Sequence, residues 1–151
     1  MNDQQTILLV DDSENDLKLM SIAFVKAGLK SPLQVVHNGE EAIAYLAGEG
    51  RYTNRNEFPL PAVMLLDLNM PMKNGFDVLD WLRKQPELKR LSTIVLTSSL
   101  RAEDVERAFE LGAHSYLVKP AALEDLVAMI RFLRDWLKLN HFPPLNEHVQ
   151  R

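Results

Sequence analysis

Short apolar runs alternate with segments of helical period from one end of the chain to the other. Five runs read as strands: residues 6–10 (TILLV), 33–36 (LQVV), 62–66 (AVMLL), 93–96 (TIVL) and 115–118 (SYLV). They are apolar with little alternation, as strands covered on both faces are. The segments between and after them predict helices. Residues 15–27 put Leu17, Met20, Phe24 and Ala27 on one stripe and stop at Gly28, and Asn38 with Glu41 has the spacing of a capping box for a helix running to Ala47. Residues 76–84 present Phe76, Leu79 and Leu82 before Pro86, residues 103–111 end at Gly112, and residues 123–139 form the longest helix. This alternation predicts an α/β protein with a parallel sheet. The one long connection, residues 48–60 (GEGRYTNRNEFPL), is polar and rich in turn formers, so we expect a surface insertion.

Composition narrows the function classes. A chain of 151 residues is one domain's worth and needs no staple to bury a core. With no cysteine, it can have neither thiolate metal sites nor thiol redox chemistry. A net charge of −4 offers no footprint for a phosphate backbone, so a nucleic-acid partner is not expected. The N-terminus has neither a basic segment nor an apolar one, and no apolar run approaches the ~20 residues that span a bilayer. The expectation is a cytoplasmic protein without a membrane partner.

In open parallel sheets the ligand site lies beyond the carboxyl ends of the strands, and those ends carry the chemistry. The first strand runs into Asp11 and Asp12, the third into Asp67, the fourth into Thr97 and the fifth into Lys119. Taken singly, each residue reads as a turn, a cap or a strand-end hydroxyl. Jointly they bring three carboxylates together, which repel one another unless a cation sits among them. Mg²⁺ suits such a site, since it takes oxygen ligands at ~2.0–2.1 Å and shares its sphere with phosphate. One Asp can then attack phosphorus to give an aspartyl phosphate, whose equatorial oxygens Mg²⁺, Lys119 and the Thr97 hydroxyl would cover. His37, His114, His141 and His148 show no metal spacing, and no Walker, dinucleotide or nucleophile-elbow motif is present.

The segments ILLVDDSEND, VMLLDLNMPMKNGFDVL, IVLTSS and GAHSYLVKPAALEDL, in that order, resemble the receiver domains of bacterial two-component response regulators, the CheY-like family. The resemblance implies a doubly wound five-stranded parallel sheet of order 2-1-3-4-5 with helices on both faces. It implies Asp67 as phosphoacceptor, and Mg²⁺ held by Asp12, Asp11, Asp67 and the backbone carbonyl of Asn69. Lys119 would bind the phosphate, Thr97 would be the switch hydroxyl, Tyr116 the aromatic reporter, and Lys119–Pro120 a cis peptide. The implied partner is a sensor histidine kinase, and the narrower resemblance is to stand-alone regulators that serve phytochrome-type kinases. Ala121 and Ala122 depart from the commonest pattern, as does the long insertion. The resemblance places Asn69 and Ser99 at positions that tune phosphate lifetime in the family. Two other readings compete. A haloacid-dehalogenase-type phosphatase needs a second acid two residues after its nucleophile, which Asp67-Leu68-Asn69 lacks, and a non-phosphorylated pseudo-receiver would have lost site residues.

These assignments divide the chain into a receiver over residues 6–139 and a tail over 140–151, with no stretch left for an output domain, so the expected output is contact with a downstream protein. The last helix carries two apolar stripes. Leu123, Leu126, Ile130, Leu133 and Leu137 can cover the sheet. Met129, Phe132, Trp136 and Leu139 form a second face, ~200° around the helix. Either the tail folds back over that face through Phe142, Pro143 and Leu145, or the face is an interface, with a homodimer the favoured reading.

Overall fold

A computed structural model describes residues 5–143 and 145. The strands are β1 (Ile7–Val10), β2 (Leu33–Val36), β3 (Val63–Leu66), β4 (Ser92–Thr97) and β5 (Ser115–Val118). The helices are α1 (Glu14–Ala27), α2 (Gly39–Ala47), α3 (Gly75–Arg83), α4 (Ala102–Glu110) and α5 (Leu123–Leu139). All strands are parallel, in the order β2-β1-β3-β4-β5. This is the doubly wound sheet the sequence implied, with boundaries shifted by a residue or so.

Successive side chains of a strand point to opposite faces, and β1 and β3 therefore feed two cores. Ile7, Leu9, Val63 and Leu65 pack with Ile94 and Leu96 under α1 and α5. Leu8, Val10, Met64 and Leu66 pack with Val95 under α2, α3 and α4. The central strands β1 and β3 are buried throughout, whereas the edge strand β5 is only half-buried.

Local chemistry sets the helix ends. Ser13 accepts the Asp16 amide at 3.2 Å, and Gly28 closes α1 in the left-handed region at φ 72°. Asn38 caps α2 through the Glu41 amide at 2.8 Å, but the Glu41 carboxylate reaches the His37 amide, so the expected box is not closed. A complete box stands instead at α3, between Asn74 and Asp77.

The insertion folds into a compact unit on the end of α2. Tyr45, Tyr52 and Phe58 pack ring against ring at 5.0–6.0 Å. Arg55 donates to the carbonyls of Tyr45, Leu46 and Phe58, two of which end α2. Burial pushes the Tyr45 phenol up to about 12, and its hydroxyl donates to the Pro59 carbonyl at 2.7 Å.

Candidate functional site

The parallel sheet brings the ends of β1, β3, β4 and β5 to one edge. The β3 exit is held tightly. The Asp67 amide donates to Val10, and the Gly75 amide donates to Leu68 at 3.0 Å. A Cβ at Gly75 would run into the Asp67 carbonyl, so only glycine lets α3 begin against the Asp67–Leu68 backbone. Met72 and Lys73 take left-handed backbone, and their carbonyls accept the Glu40 and Gly39 amides.

Asp67 is buried at 7% exposure. Its Oδ1 accepts the Leu68 amide at 2.8 Å, its Oδ2 lies 3.7 Å from Lys119 Nζ, and the fully buried Thr97 hydroxyl is near enough to favour the charged carboxylate. Burial pushes its pKa up, helped by Asp11, and outweighs the opposing pull of Lys119, Thr97 and the Leu68 amide. Asp11 is buried, with Oδ1 accepting the Ser13 amide at 3.0 Å and Oδ2 accepting Lys119 at 2.5 Å. Burial would depress the Lys119 amine, but its bonds to Asp11 and Asp16 and the charge of Asp67 outweigh burial and raise it.

Carboxylate oxygens of Asp11, exposed Asp12 and Asp67 lie within 4.8 Å of one another. Such an all-oxygen set suits a hard divalent cation. Asn69 is exposed two residues after Asp67. The five expected chemistry residues are thus brought together.

Tyr116 donates its hydroxyl to the Ser99 carbonyl at 3.1 Å. Ser99 ties this loop to α4 by donating to Asp104 at 2.5 Å, and it accepts the Arg101 amide. The expected cis bond at Pro120 is corrected. Every peptide among the described residues is trans, Lys119–Pro120 included. Trans is the ordinary X–Pro preference by ~0.5–1 kcal/mol, and with the Lys119 amide on the Thr97 carbonyl at 2.8 Å the side chain reaches Asp11 from that isomer.

Asp16, Asp104 and Gly75 escape sequence reasoning. Asp16 reads as an ordinary first-turn acid of α1, yet its Oδ2 lies 2.9 Å from Lys119 Nζ.

The second face of α5 lies near the opposite, amino-terminal edge of β4 and β5. Met129, Phe132 and Trp136 line an apolar groove there with Ile94, Leu117 and His114, whose Nδ1 accepts the Thr93 amide. The tail covers part of the face, since Phe142 stands edge-on to Trp136 at 5.9 Å. Leu145 packs instead against the α2–α4 core. Phe132 and Leu139 stay 77% and 80% exposed. Residues 144 and 146–151 of the tail, His148 among them, lie outside the described residues.

Fold and site together define a CheY-like receiver, and residues 7–131 match the model of the response regulator receiver domain. The chain belongs to that family. It is 36% identical over 143 residues to response regulator Rcp1 of Synechocystis, covering 94% of this chain and 95% of Rcp1. The phosphorylated cyanobacterial phytochrome response regulator RcpA superposes with a TM-score of 0.85 at 32% identity, over 93% of this chain and 99% of RcpA. The Mn²⁺-bound form of Rcp1 superposes with a TM-score of 0.82 at 35% identity, over 93% and 99%. No helix of the described residues is long and apolar enough to cross a membrane.

Proposed function

We propose that this chain is a response regulator that accepts a phosphoryl group on Asp67 from the phosphohistidine of a sensor histidine kinase. The observation that carries this is a buried carboxylate, Asp67, with one oxygen pinned by the Leu68 amide and with Lys119, Thr97, Asp11 and Asp12 gathered around it. An Asp67 oxygen forms the new bond to phosphorus as the phosphorus–nitrogen bond breaks, and the electron pair leaves on the imidazole. Mg²⁺ held by Asp11, Asp12, Asp67 and the Asn69 carbonyl would supply charge neutralisation on one phosphoryl oxygen. Lys119 and Thr97 supply the same on the others. The Mn²⁺ in the Rcp1 structure supports a divalent ion.

As Thr97 turns toward the phosphoryl group, Ser99 follows, because its amide lies 3.5 Å from the Thr97 hydroxyl, and Tyr116 moves with Ser99. The output is a shift of the β4–α4 loop read by a downstream protein at α4, β5 and α5, and the only chemistry is the domain's own phosphorylation and dephosphorylation. Likeness to RcpA supports a phytochrome-type kinase as partner, and a cytoplasmic location goes with that partner. The receiver spans residues 6–139. Its absent second acid and its full set of site residues argue against the phosphatase and the pseudo-receiver respectively.

The test is intact mass after incubation with acetyl phosphate and Mg²⁺. One phosphate adduct appears and is absent in Asp67→Asn; an adduct persisting in that variant overturns the assignment. Exposed Phe132 and Leu139 beside the groove support the homodimer reading. Sedimentation should give twice the chain mass for the native protein and once for Phe132→Glu, and a native monomer overturns it.

A further inference from the structure

Lys119 is engaged by carboxylates other than Asp67 in the geometry it adopts. Its ammonium group lies 2.5 Å from Asp11 Oδ2 and 2.9 Å from Asp16 Oδ2, but 3.7 Å from Asp67 Oδ2, which is beyond hydrogen-bond reach. The side chain is only 11% exposed, so water competes little for its donors. We propose that Asp16 is a positioning residue, a competing carboxylate that holds Lys119 short of Asp67 in the resting state and must release it when the phosphoryl group forms. The proposal rests on the reading of Asp67 as phosphoacceptor.

Three observations support this. Asp16 lies in the first turn of α1, where the helix dipole favours an anion, and its amide is fastened to the Ser13 hydroxyl, so its backbone is fixed relative to the site. It stands outside the group of carboxylates that could share a cation, Asp11, Asp12 and Asp67. Asp11 therefore has two claims on it, a cation and Lys119, whereas Asp16 keeps its hold on Lys119 whichever prevails. Finally, an ammonium group has three donors; Asp11 and Asp16 take two and leave one for a phosphoryl oxygen, so a second phosphoryl contact, or a move closer than the present 3.7 Å from Asp67 Oδ2, means giving up a carboxylate. The partly exposed Asp16, at 37%, is cheaper to release to water than buried Asp11.

The experiment compares the native chain with Asp16→Asn and with Glu14→Gln, which removes an equal charge from the same helix turn without touching Lys119. With limiting acetic anhydride and peptide mass mapping, Lys119 should acylate severalfold faster in Asp16→Asn relative to exposed Lys138, and at the native rate in Glu14→Gln. Equal Lys119 labelling in all three overturns the proposal. In Mg²⁺, beryllofluoride, a mimic of the acyl phosphate, should bind severalfold tighter to Asp16→Asn, and that gain should vanish in a Lys119→Ala background. Binding to the native chain with no gain in Asp16→Asn also overturns the proposal and leaves the phosphoacceptor reading intact. No beryllofluoride binding by the native chain overturns that reading, while the labelling still decides whether Asp16 holds Lys119.

Discussion

Where the connection from α2 to β3 packs on α2, three aromatic rings close on one another and Arg55 satisfies three carbonyls; at the carboxyl edge of the sheet, carboxylates crowd around a single lysine. In the insertion each polar group named above has a partner, and Arg51 lies over the Tyr52 and Phe58 rings at 5.2 and 5.6 Å. At the site burial works against charge, raising the Asp67 carboxyl against the pull of Lys119, Thr97 and the Leu68 amide. The polar insertion thus contributes stability, while the pocket on the rigid sheet gives some of it up.

The largest effect is expected from breaking the insertion. Phe58→Ala should lose about 3 kcal/mol or more of stability, as deleting a buried ring does, with the acetyl phosphate adduct still forming below the new melting point. A melting curve and intact mass check both. Arg55→Ala should cost about 2–3 kcal/mol by removing charge-assisted bonds to carbonyls at the end of α2, read from urea midpoints; an unchanged midpoint would show that water replaces the guanidinium without loss.

The site should respond in the opposite sense. Without divalent ions, Asp67→Asn should melt higher by a few degrees, with each kcal/mol worth ~2–4 °C in a domain this size. A carboxylate raised in the folded state stays protonated there after the unfolded chain has ionised near its ordinary 3.8. Stability therefore falls as pH rises through that window, and the gap between variant and native protein should open above it and close below it. Native protein as stable as the variant at pH 7 would show that Lys119 and Thr97 fully compensate. The smallest effect is expected at the β4–α4 loop. Asp104→Asn should cost about 1 kcal/mol or less, yet speed hydrogen exchange at the first amides of α4, because Ser99 and Asp104 tie that turn down where Arg101 offers no side-chain cap.

The five side chains gathered at the site were legible because each follows an apolar run, and a parallel sheet places all strand exits on one edge. Their supporting residues were not. Asp16 lies 103 positions from Lys119 and looks like any first-turn acid. The glycine at 75 looks like an ordinary loop residue until α3 is seen against the Asp67 carbonyl. Tyr116 was identified by resemblance alone, and its bond to Ser99 needed coordinates.

The order of apolar runs, the caps and the strand-end carboxylates are local properties, and by themselves they determined the fold class and which side chains meet at the sheet edge. Which oxygens Lys119 holds and how far the tail covers α5 were decided only by the tertiary structure. Those outcomes depend on competition among groups distant in sequence, where fractions of an ångström and the exclusion of water set the winner.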